Sequence, residues 1–339
     1  MRLRTFLISA IAVATLAACG GKVPGLGGHS LPAGVPGGSS GEVDPNTCGN
    51  YSAMDGGHKL KAFLQATKDL EAETDATVAA VKDSCVLIGR ELGMTDADFQ
   101  GDAKPVCDKV YASLHANIKV AFKAQAGLKI KYKPAVCRVD VDAQVKASAE
   151  CEGSASADVG AVCSGACHGK CDGTCSGKAG AGGAAAQCDG QCSGTCHGDC
   201  EGHADVNASA QCKASASVKA SADVKCTQPE LTIEADAKMT LDKPKADAVI
   251  RGLKSGLPKA LLVKAHLDPL QHAVEVWAAS AKELQSMGPK LINSFKDQAL
   301  CISGQLAATV AAIAKINTNV SVSVNVSVSA SATANGSAS

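Results

Sequence analysis

Residues 163–200 read CSGACHGKCDGTCSGKAGAGGAAAQCDGQCSGTCHGDC. Cysteine recurs every fourth residue at Cys163, Cys167, Cys171 and Cys175, and again at Cys188, Cys192, Cys196 and Cys200. The Gly/Ala-rich residues between the two runs suit the tip of a hairpin, placed near 176–187. If the chain folds back there, facing residues have numbers that sum to 363, which opposes Cys175 to Cys188, Cys171 to Cys192, Cys167 to Cys196 and Cys163 to Cys200. Two evenly spaced runs always mirror about some centre. The outer cysteines are an independent check, because Cys151 with Cys212 and Cys137 with Cys226 obey the same sum.

Side-chain parity extends the pattern. A strand points alternate residues to opposite faces. From Cys137 to Cys163 the odd positions are apolar or small, whereas the even ones run through Arg138, Asp140, Asp142, Gln144 and Lys146. On the returning arm the apolar set is even and includes Val206, Ala214, Val218 and Val224. The same centre opposes Val139 to Val224, Val145 to Val218, Ala147 to Ala216 and Ala149 to Ala214. Beyond the prolines at Pro134 and Pro229 it opposes Ile130 to Ile233 and Tyr132 to Leu231.

The expectation for residues 128–236 is therefore a long antiparallel β-hairpin ribbon with a ladder of disulfides. The cysteines sit at directly opposed positions, where Cβ atoms approach roughly 4.5–5 Å. Gly165–Gly198, Gly169–Gly194 and Gly173–Gly190 would lie between the rungs. A lone hairpin is marginal in water, so the cross-links replace a core that Gly and Ala cannot supply. If straight, arms of about 40 residues would reach on the order of 130 Å, so twists and breaks are expected. The C-terminal residues 318–339 alternate as well, from Val320 to Ala334, and are expected either as a third strand beside the returning arm or as a disordered tail.

The flanks carry a different period. Leu60, Phe63, Leu64, Thr67, Leu70, Thr74, Val78, Val81, Cys85 and Ile88 recur at threes and fours, and Val106, Cys107, Val110, Leu114, Ile118 and Phe122 form a second stripe. After residue 240 come Leu257, Leu261, Leu267, Leu270, Val274, Trp277 and Leu284, then Leu291, Phe295, Ile302, Leu306, Val310 and Ile313. Such spacing marks amphipathic helices. Residues 58–127 and 237–317 are thus expected to form the two parts of one helical bundle, with helix restarts at Asp268-Pro269 and Gly288-Pro289. The fold class is α+β. Cys85 and Cys107, on successive helical faces, are expected partners, and by elimination Cys48 joins Cys301.

The 339 residues carry no formal net charge, 33 basic side chains facing 33 acidic ones. This removes a whole-chain case for nucleic acid. Nine aromatic residues among Phe, Tyr and Trp leave little to wall a small-molecule pocket. Seventeen cysteines indicate an oxidising compartment or a metal.

Residues 1–18 decide the address. Arg2 and Arg4 precede a short apolar run from Phe6 to Thr15, which ends in Leu16-Ala17-Ala18-Cys19. This resembles the lipobox of bacterial lipoproteins. The resemblance covers only the start of the chain. It implies cleavage before Cys19, lipidation of Cys19 and attachment to the membrane. Gly20 follows, where Asp commonly retains such proteins at the inner membrane, so the outer membrane is the expected site. The Gly/Pro/Ser-rich stretch after Cys19 reads as a flexible tether over 19–57. With Cys19 acylated, sixteen cysteines remain, enough for eight bridges.

No catalytic motif, phosphate loop or cofactor fingerprint stands out, and neither a cofactor nor a small-molecule substrate is expected. The expected role is structural, adhesive or spacing at the cell envelope. The alternative is metal or thiol binding by the Cys/His-rich segment. His168 and His197 would lie diagonally on the polar face and hold a surface cation weakly at most. Neighbouring thiols on one extended strand stand about 13 Å apart, too far to share an ion. The apolar face of a flat ribbon would need cover, from a second copy or another envelope component.

Overall fold

A computed structural model describes residues 43–49, 51, 56–123, 127–153, 160–179, 186–286 and 299–336. The expected export signal, Cys19 and the expected tether up to residue 42 lie outside these residues, as do residues 180–185 of the expected tip at 176–187 and the expected restart at Gly288-Pro289.

The first two helical stripes fold as their spacing dictates. Helix α1 (Gly57–Glu91) buries Leu60, Phe63, Leu64, Leu70, Val81, Cys85 and Ile88. It stops where Gly93 takes a left-handed φ of 81°. Helix α2 (Ala103–Ala121) buries Val106, Cys107, Val110, Leu114 and Ile118. The chain then enters strand β1 (Leu128–Lys133) and strand β2 (Cys137–Asp140).

Beyond β2 the structure departs from the expected continuous strand. Residues Val141–Glu152 form helix α3, and Ala210–Ala222 form helix α4 on the returning arm. The predicted strand pairs Val145–Val218, Ala147–Ala216 and Ala149–Ala214 are therefore corrected to contacts between two helices. The reason is local. Ala is the best helix former, so alternation of Ala with Ser, Lys and Glu is a weak strand signal. Asp140 accepts from the Ala143 N–H at 2.9 Å and caps α3, while Gly153, at φ 68°, ends it. The mirror survives because both arms switch to helix at matching positions, and the Cys151–Cys212 disulfide joins α3 to α4.

The strands resume as β3 (Ala161–Cys163), β4 (Ala166–Ala179), β5 (Ala186–Glu201) and β6 (Ala204–Val206), and after α4 as β7 (Lys225–Cys226) and β8 (Glu230–Ala235). Strands β1 and β8 pair antiparallel with Ile130 opposite Ile233 and Tyr132 opposite Leu231. Strand β3 pairs with β6, and β2 lies between β5 and β7.

The central ribbon is neither flat nor in the expected register. Cys171 faces Cys196, Cys175 faces Cys192 and Gly173 faces Gly194, a register four positions away from that of the disulfides. Residues 167–171 also have a second partner each on β5: Cys167 pairs with both Cys200 and Gly190, ten positions apart, and Cys171 with both Cys196 and Ala186. The two strands therefore coil, with one turn taking ten residues of β5, and the ribbon hydrogen-bonds to its own next turn. Cys192 falls midway along the turn running from Ala186 to Cys196, so the Cys171–Cys192 bond spans the inside of the coil. Cα atoms across the bridges Cys167–Cys196, Cys171–Cys192 and Cys175–Cys188 are 6.0, 5.8 and 5.8 Å apart. Cysteine side chains fill this interior, and Cys167, Cys188, Cys196 and Cys200 are fully buried. The face expected to need a partner is covered within the chain.

Helix α5 (Lys243–Ser286) and helix α6 (Ala299–Gly336) complete the bundle. The helix runs unbroken through Asp268-Pro269, so the restart expected there is corrected; Pro258 and Pro269 both lie inside α5. Residues 318–336 are helical, which corrects the expected strand or disordered tail. Along α6, Ile302, Gln305, Thr309, Ala312, Ile316 and Ser323 are buried at intervals of three, four and seven. Three of these six are polar, so the apolar period misplaces the stripe: Val310, expected on it, is 42 % exposed and Leu306 is only partly buried, a correction to the expected series. Lys315 binds Glu71 and Asp75 of α1 at 3.1 and 2.8 Å, and Asn319 binds Asp75 at 2.7 Å. Among the described residues, no helix is long and apolar enough to cross a membrane.

Three cores result. One lies among the C-terminal half of α1, α2, β1, β8 and the start of α5. A second joins the N-terminal half of α1, α4, the later part of α5 and α6 around Trp277. The third is the sulfur-filled ribbon, closed by Val139, Val141, Ala149, Ala161 and Val206.

Candidate functional site

The structure pairs Cys163 with Cys200, Cys167 with Cys196, Cys171 with Cys192 and Cys175 with Cys188. It also pairs Cys137 with Cys226, Cys151 with Cys212, Cys85 with Cys107 and Cys48 with Cys301. All sixteen described cysteines are consumed, which leaves none of them as a thiolate ligand.

His168 and His197 lie on the outside of the ribbon in two separate settings. His168 Nδ1 is 2.6 Å from Asp189 and its Nε2 is 2.8 Å from Glu201. His197 Nε2 is 2.9 Å from Asp172, and its Nδ1 is 3.5 Å from Asp142. Each ring has both nitrogens on carboxylates, so these histidines tie the ribbon's turns together and to α3. The hydrogen bond from His197 holds the Asp172 carboxyl below the usual range.

A different cluster forms at the foot of the ribbon, where β5 turns into β6. Gly202 makes that turn at φ 85°. A Cβ there would also stand 2.9 Å from both Asp268 Oδ2 and Ser164 Oγ, side-chain ends that would have to swing aside, so it is the left-handed conformation that favours glycine. The turn delivers His203 and Asp205 to one side. Helix α5 delivers Asp268 and His272, four residues apart and hence on one face. The rings of His203 and His272 stack with centroids 3.9 Å apart and planes inclined by 16°. His203 Nδ1 is 3.3 Å from Asp268 Oδ2, and Lys213 of α4 holds Asp205 Oδ1 at 2.6 Å.

The electrostatics pull the two histidines apart. Its hydrogen bond to Asp268 raises the pKa of His203 above the ordinary value, with burial opposing. Burial lowers that of His272, and the neighbouring charge of His203 lowers it further. Asp268 is depressed chiefly by His203. Burial would raise Asp205, but Lys213 and the two histidines outweigh it and the carboxyl is lowered. The Nε2 of His272 is buried and has no hydrogen-bond partner, a state that costs about 1–3 kcal/mol if nothing fills it. His203, His272 and Pro269 line a small cavity of about 10 Å³ beside Gln144 and Ser217.

Sequence reading alone singles out none of His203, Asp205 and His272. The signal was present as His203-Ala204-Asp205 on one strand face and Asp268 with His272 at helical spacing, but nothing in the chain order says that the two pairs meet. A wider groove, of about 220 Å³, lies between Tyr132, Pro134, Ala135, Leu261, Lys264 and Ala265. Its lining brings one charged group, Lys264, and no acid–base pair.

Compared with protein-family models, with curated proteins and with solved structures, the chain finds no match. The functional reading therefore rests on the residues themselves.

Proposed function

We propose that this chain is an envelope lipoprotein, held to the membrane through an acylated Cys19, that serves a structural, adhesive or spacing role through its cross-linked ribbon. The observation that carries the reading is the coiled ribbon, whose interior is disulfide and not hydrocarbon. Such a core forms and persists in an oxidising compartment. That requirement agrees with the independent export signal and lipobox at residues 1–19. A domain built this way keeps its shape outside the cell without the large apolar core that its composition denies it. The outer membrane is the proposed location and the membrane itself, through the lipid anchor, the proposed partner; the ribbon's sulfur face is covered within the chain and requires no second protein.

The test is expression of the full chain in a bacterial host. The mature N-terminus is expected to be an acylated Cys19, with incorporation of labelled palmitate and recovery in the membrane fraction. Cys19→Ser should abolish labelling and leave the protein unprocessed by lipoprotein signal peptidase. Recovery of unlipidated, membrane-free wild-type protein would overturn the anchor. Metal or thiol binding by the Cys/His-rich segment would replace the structural role if free thiols at 163–200 accompanied stoichiometric zinc or copper.

A further inference from the structure

We infer that His203, Asp205 and His272 form a binding site for one divalent transition-metal ion of the zinc type, at the junction between the ribbon and α5. One ligand atom from each residue lies within 4.8 Å of the others. Ligands around tetrahedral zinc sit about 3.4 Å apart, given bonds near 2.0–2.2 Å. The widest pair therefore needs to close by up to about 1.4 Å, and because the two rings stack with planes only 16° apart, one ring must also rotate about its side-chain torsions to bring both in-plane nitrogen lone pairs onto the ion.

Three further features point to an ion. The His272 Nε2 is buried and accepts or donates no hydrogen bond, its nearest carboxylate oxygen, Asp205 Oδ1, standing 3.5 Å away. Asp268 engages His203 through Nδ1, which leaves Nε2 for a metal and supplies the outer carboxylate that commonly orients a ligating imidazole. The donor set of two imidazoles and a carboxylate suits zinc or copper, and leaves a fourth position for water. Lys213 occupies the same Asp205 oxygen at 2.6 Å and is the group an incoming ion must displace or share with. Glu275 adds negative charge nearby. No cysteine takes part, so the site is compatible with fully oxidised protein. Its ligands come from β6 and its leading turn on one side and α5 on the other, so the ion would clamp the ribbon to the bundle.

The experiment is zinc titration of the metal-stripped, disulfide-intact protein near neutral pH against a chromophoric competitor. One equivalent should bind. His272→Gln and Asp205→Asn should each weaken binding by about tenfold or more, and His168→Asn should leave it unchanged. Failure to bind one equivalent, or undiminished binding by His272→Gln, overturns the site. Should a variant fail to fold, Cu²⁺ loaded into the wild-type chain decides by electron paramagnetic resonance. Two nitrogen ligands and no sulfur support the assignment; sulfur ligation or the absence of nitrogen coupling refutes it. The readout is separate from lipidation, so either proposal can fail without the other.

Discussion

Glu152 shows how one side chain can hold two elements. It ends α3, pairs with Lys59 of α1 and accepts from the Ser209 N–H at 2.6 Å, at the N-cap of α4. Burial pushes its pKa up, but the hydrogen bonds from Lys59 and Ser209 outweigh this and bring it to about 2. A carboxyl with a depressed native pKa contributes stability that is present above its ordinary value of 4.5 and is lost as pH falls towards about 2. Glu152→Gln should lower stability at neutral pH by about 1–2 kcal/mol, given partial exposure. The gap between variant and wild type should shrink between pH 4.5 and 2 in denaturant titrations. A gap that stays constant with pH would show that the charge is not what matters.

At the scale of the element, the glycines of the ribbon are fixed by contact. A Cβ on Gly177 would stand 2.5 Å from the Asp189 carbonyl oxygen, and one on Gly190 equally close to that of Ser176. The two residues face one another, so the strands approach too closely there for any side chain. Gly177→Val is expected to cost about 1–3 kcal/mol and to impair closure of Cys175–Cys188, read by non-reducing peptide mapping. Correct pairing at wild-type yield would contradict this packing. The same element explains a sequence expectation that was half right. Cysteine spacing identified which sulfurs meet, because the partners Cys163–Cys200 through Cys175–Cys188 follow one sum. It placed them directly across a flat ladder, whereas the strands coil and the partners meet across the turn. Period-two alternation carries no information about coiling. Nor did it separate strand from helix at 141–152 and 210–222, where Ala occupies much of the apolar set and suits both. The cap at Asp140 and the stop at Gly153 were the better evidence.

Across the whole molecule, the bundle is closed by its ends. Cys48 is bonded to Cys301 across 253 residues, and the Asp44 N–H donates to Gln305 of α6 at 2.8 Å. Helix α6 has few large apolar residues in its later turns and relies on this tie and on the Lys315 and Asn319 contacts with α1. Removing the bridge with Cys48→Ser and Cys301→Ser should cost on the order of 5 kcal/mol by the loop-entropy argument. Amide exchange along 301–323 should accelerate more than in α2. The single tryptophan, fully buried and bonded to Thr67 Oγ1 at 2.8 Å, reports on the same core by its emission. Unchanged exchange in α6 would mean that packing alone holds it.

The order of residues alone determined the helical stripes of α1, α2 and α5, the centre about which the chain folds back and the cysteines that pair, because each follows from a period or a spacing in one dimension. Only the tertiary structure decided that the ribbon coils, that the Val/Ser-rich end continues a helix, and that His203 and Asp205 meet His272. Those outcomes depend on what packs against each segment, and contacts between distant parts of a chain leave no period in its sequence.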